Sequence, residues 1–190
     1  MSDLYDLLSS IRSHYVDQFQ NALEELRSGG HVVIIEPPVL NEAGELAREG
    51  ALELAARFDL AVQDGDSASP SMFSPGKMLE FQPVGFEGGG LAIMISPFSW
   101  DGVQLSIDGD PVKIATALAE WFENAVSAPE GVAEDQIQHA AHFLSDPVVV
   151  EGTSVAQADL GTVDVDVVVD LFDRLRFAGA SRVELGLPRG

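Results

Sequence analysis

Apolar and polar positions alternate along this chain in two rhythms, and the switches between them outline its elements. Over residues 3–27, Leu4, Leu8, Ile11, Tyr15, Phe19, Leu23 and Leu26 recur every three or four positions. This spacing puts them on one face of a long amphipathic helix. Ser2 or Asp3 can cap its start, and Gly29-Gly30 can end it. Helical spacing returns over 41–58, with Leu46, Leu54 and Phe58 inward and Asn41 as N-cap. It returns again from Asp110-Pro111 onward, with Ile114, Leu118, Trp121, Phe122 and Ala125. Two further helices are predicted over 130–144 and 164–178, the second ending at Gly179 with Arg174 and Arg176 in its last turns.

Short apolar runs supply the strands. HVVIIE at 31–36 reads as a buried strand ended by Pro37-Pro38. Residues 77–84, 91–97 and 103–107 read as three strands separated by Gly88-Gly89-Gly90 and Asp101-Gly102, an antiparallel meander. Residues 147–151 and 182–187 add two more, and 63–76 reads as a loop rich in Gly, Asp, Ser and Pro. The predicted class is α+β, with a central antiparallel meander flanked by βα units and helices packed on the sheet. At 190 residues the chain is expected to form one domain. The echo between VVIIE and VVVEG offers two similar halves, about 1–128 and 129–190, as the alternative.

Charge narrows the partners. Ten basic residues against 31 acidic ones give a formal charge of −21, and only Lys77 and Lys113 are lysines. Phosphate backbones and anionic membranes need Lys and Arg, so neither nucleic acid nor membrane is an expected partner. A basic protein, or self-association through the N-terminal helix, fits better. Salt adaptation accounts for the charge equally well. The chain has no cysteine, which removes disulfides, thiolate nucleophiles and Cys-bound metals. The N-terminal residues lack the pattern of a signal peptide, and the strongest apolar run, 91–95, is far below the roughly 20 residues of a membrane span. A cytoplasmic location is expected.

Catalytic signatures are sparse. His139 and His142 stand three apart and would share a face of the helix over 130–144, one turn after Glu134 and Asp135. This spacing differs from the HExxH pattern of metalloproteases. Gly88-Gly89-Gly90 precedes a strand instead of a helix, so it reads as a turn and not a phosphate cradle. Gly152-Thr153-Ser154 lacks the surroundings of a nucleophile elbow. Asp64-Gly-Asp66 and Asp108-Gly-Asp110 fall short of an EF-hand loop. No catalytic, cofactor-binding or metal-ligating residue is therefore assigned, and no cofactor. The expected function is a non-enzymatic protein-interaction module; metal-assisted hydrolysis through His139 and His142 is the enzymatic alternative.

Overall fold

A computed structural model describes residues 2–44, 56–65 and 67–188. Among them, three helices and ten strands form two sheets, an α+β architecture. The first helix, α1 (Ser2–Ser28), follows the apolar stripe read from the sequence. Its N-terminal half puts Leu4, Leu8, Ile11, Tyr15 and Val16 into the larger core; Phe19 and Leu23 enter a smaller one with Val33, Ile35 and Leu60. One helix thus spans both cores. Because this stripe is buried within the chain, any self-association through α1 is left with its polar flank.

The small sheet has the order β1-β2-β3, with β1 (Val32–Ile35), β2 (Leu60–Asp64) and β3 (Ser67–Ser71) all antiparallel. β3 lies in the segment expected to be a loop. It is exposed along its length and has no apolar face, so only the backbone ladder to β2 reveals it. Most of the helix expected over 41–58 falls outside the described residues. Of its described ends, residues 42–43 form a turn and Arg57 bridges to Pro38.

The larger sheet holds β4 (Val84–Gly88), β5 (Leu91–Ile95), β6 (Val103–Asp108), β7 (Phe143–Leu144), β8 (Val148–Val150), β9 (Thr153–Asp159) and β10 (Arg182–Gly186). Its order is β4-β5-β10-β6-β9-β7, with β8 also paired to β9. The β4–β5 hairpin of the expected meander is present, shifted so that its first strand begins at Val84. The step from β5 to β6 is not a hairpin. β10 enters between them, parallel to β5 and antiparallel to β6, with Leu185 opposite both Ile95 and Leu105. Its Val183 and Leu185 are buried, so this strand completes the sheet's centre. The helices α2 (Pro111–Ala125) and α3 (Val165–Phe177) pack on each other and give Ile114, Leu118, Trp121, Val168, Leu171 and Leu175 to the same core.

Residues 130–142 form no helix. Gly131 has φ +84 and His139 φ +54, conformations foreign to a right-handed helix. The backbone groups of this segment are taken by distant partners instead. Ile35 N donates to Glu134 O, Ala141 N to Ala125 O and His142 N to Asp159 O. His139 N donates to Thr162 Oγ1 and Gln138 N to Glu36 Oε2. Tertiary hydrogen bonds outbid the helical ones, as they do where a segment threads between packed layers.

Candidate metal centre

The two histidines that only the enzymatic alternative would pair sit in different surroundings, one exposed and one buried. His139 lies at the surface with its Nδ1 3.1 Å from Asp164 Oδ1, an oxygen it shares with Arg12. His142 is fully buried. The residues around it come from the ends of four strands. Glu36 follows β1, Asp59 precedes β2, Asp159 closes β9, and His142 itself precedes β7. Each strand's apolar residues are drawn into a core, and the polar residue at its end is carried to the junction of the two sheets.

The carboxylate of Glu36 is heavily engaged. Oε1 lies 2.7 Å from His142 Nε2 and Oε2 accepts Gln138 N at 2.6 Å. Thr162 Oγ1 lies 2.8 and 2.7 Å from its two oxygens. A carboxylate accepts, so the proton on this side of the ring is on Nε2. Nδ1 faces the other way, 3.2 Å from Asp59 Oδ1 and 3.6 Å from Asp159 Oδ2. Although these distances are short, neither carboxylate lies where a hydrogen bond to Nδ1 would form, and the atom has no hydrogen-bond partner.

Both carboxylates are held in this attitude. Asp59 Oδ2 accepts Phe73 N at 2.7 Å and Asp159 Oδ1 accepts Gly161 N at 2.8 Å. In each residue one oxygen is tied to a backbone amide and the other is turned toward the imidazole. Tyr15 adds its hydroxyl, 3.3 Å from Asp59 Oδ1. Gly161 is essential to this geometry. With φ +51, a Cβ there would overlap Ala140 O and the His142 ring.

The electrostatics are unbalanced. Burial alone would lower the His142 pKa, but the negative charge of Asp159, with Asp59 and Glu36 also close to the ring, holds it well above its ordinary value. Burial raises Asp159, opposed by His142, and raises Asp101, which also feels Asp159 and Asp59. Arg57, the buried cation nearby, directs Nε to Val126 O and Nη1 to the Glu36 carbonyl. Burial lowers its pKa, and Glu36 opposes that. The cluster concentrates carboxylates beyond what one imidazole and one guanidinium neutralise.

Asp59, Asp159 and His142 Nδ1 present one donor atom each, all within 4.8 Å of one another. Ligands on a common divalent ion at bond lengths near 2.1 Å stand roughly 3.0–3.4 Å apart, close to the separations from Nδ1. Behind the ring, Glu36 repeats the carboxylate–histidine arrangement that orients metal-bound imidazoles. Glu36, Asp59 and Asp159 had no prominence in the sequence pattern. The overlooked signal is positional: Glu36 follows VVII and Asp59 precedes LAV, each an acid abutting an apolar strand, while Asp159 ends a strand of small residues. Comparison with known protein families, curated proteins and solved structures finds no match, so the centre is read from its own chemistry.

Proposed function

We propose that this chain is a divalent-cation-binding protein whose ion, held by Asp59, Asp159 and His142 Nδ1, braces the junction of its two sheets. One observation carries the reading. With Nε2 protonated toward Glu36, Nδ1 presents either a lone pair or a second proton to two carboxylates already anchored by backbone amides. A lone pair facing two anions is repelled, and a shared cation removes the repulsion. Two carboxylates with one imidazole suit a first-row ion such as Mn²⁺ or Zn²⁺.

Burial favours a structural over a catalytic ion. Solvent reaches only the Asp159 side chain, 11% exposed, while His142 and Asp59 are covered. A catalytic ion needs an open coordination position for water or substrate. Hydrolysis through a His139–His142 pair finds no support in this geometry, since the two imidazoles serve different carboxylates.

Protein stripped with a chelator and titrated with Mn²⁺ or Zn²⁺ tests the proposal. Calorimetry is expected to give one equivalent. At an ion concentration 100-fold above Kd, stabilisation of about 2.7 kcal/mol follows by mass action. Asp159→Asn is expected to abolish the effect while circular dichroism shows an unchanged fold. No heat and no melting shift with either ion would overturn it. That result would leave His142 as a buried imidazolium paired to its carboxylates.

A further inference from the structure

We infer that the β8 edge of the large sheet is a docking site for an extended, basic segment of another protein, which adds to the sheet as a strand. Among the described residues β8 pairs with β9 alone, and no described strand takes its other edge. Its three residues, Val148, Val149 and Val150, are 55%, 56% and 52% exposed. Successive side chains on a strand point to opposite faces, so both faces are uncovered here. Three consecutive exposed β-branched residues on an unpaired edge form a template for another strand.

Charge selects the occupant. The valines are framed by exposed Asp146 and Glu151. Beside them, a concavity of about 410 Å³ on the outer sheet face is lined by Val150, Val155, Asp108, Glu151 and the Arg182–Glu184 pair. The arginines of the described residues are committed within the chain: Arg12, Arg57, Arg174, Arg176 and Arg182 bond to its own acceptors, and Arg27 reaches Asp135 O. A second copy pairing at this edge would set two such acidic frames, and two chains of charge −21, against each other. A strand alternating valine-like residues with Lys or Arg meets both the apolar edge and its frame.

The probe is a synthetic peptide alternating lysine and valine, with a glutamate–valine peptide as control. Hydrogen-exchange mass spectrometry on the full chain reads the result. The lysine peptide is expected to slow exchange roughly tenfold at 148–150, and its affinity should fall with salt. Val148→Lys combined with Val150→Lys is expected to weaken binding at least about tenfold with an unchanged melting temperature. Asp146→Asn with Glu151→Gln should weaken the salt dependence. Protection elsewhere or nowhere, equal binding of the glutamate peptide, or a free dimer already protected at 148–150 would each overturn the inference.

Discussion

Two histidine–carboxylate pairs in this molecule differ mainly in their exposure. His142–Glu36 is fully buried, whereas His139–Asp164 has side chains 41% and 52% exposed. Glu36→Ala leaves Thr162 Oγ1, Gln138 N and Nε2–H without their buried acceptor, and is expected to cost about 3–5 kcal/mol in urea denaturation. His139→Ala removes a solvated contact and is expected to change stability by less than about 1 kcal/mol. Equal costs would mean that the buried pair rearranges freely. The difference was not legible in the sequence. A spacing of three places two side chains on one face only if the segment is helical, and around residue 139 the backbone is spent on other partners. The apolar neighbours of His142, in AAHFL, were the better guide to its burial.

Among elements, the two interior helices begin with the same residue type and use it differently. Asp110 caps α2, its Oδ1 accepting Val112 N at 3.0 Å, with Pro111 at the first helical position. Asp164 precedes α3 but makes no cap bond and turns to Arg12 and His139. Asp110→Ala is therefore expected to lose about 1 kcal/mol of stability, seen in thermal melts. Gly161→Ala is expected to lose more, about 1–3 kcal/mol from the backbone conformation alone, with the His142 ring displaced as well. Helices α1, α2 and α3 were legible because a long apolar stripe repeats its evidence every turn. β9 was not. Ser154, Ala156 and Ala158 are its buried face, and residues this small reach a close-packed interior without forming an apolar run.

For the molecule as a whole, charge and burial act together on pH dependence. His142, Asp159 and Asp101 all have raised pKa values in the folded state. Each therefore binds its proton more tightly folded than unfolded. The His142 contribution is fully present below its unfolded pKa near 6.5 and is lost as pH rises through the folded value. For Asp159 and Asp101, acidification through the folded pKa relieves the burial of charge. Metal-free protein is thus expected to melt at higher temperature at pH about 5.5 than at pH about 8, by differential scanning calorimetry in chelator. An ion on Nδ1 competes with that proton, so saturation with Mn²⁺ or Zn²⁺ should flatten or reverse the slope. Tyr15 is raised by burial and then by Asp59, so above pH about 10 the unfolded chain ionises first and stability falls again. The fold class was readable at this scale from alternating patterns. The sheet order was not, since no local signal says that β10 enters between β5 and β6.

That insertion also governs how the protein is made. Synthesis runs from the N-terminus, so β5 and β6 leave the ribosome long before the strand that joins them. Until β10 arrives, two apolar strands each present an unpaired edge in the middle of the future sheet, a state prone to aggregate. A chain ended after Ala180 would keep all three helices and most of both cores' side chains. It is nonetheless expected to partition into the insoluble fraction, and adding residues 181–188 as a separate peptide during refolding should recover soluble material.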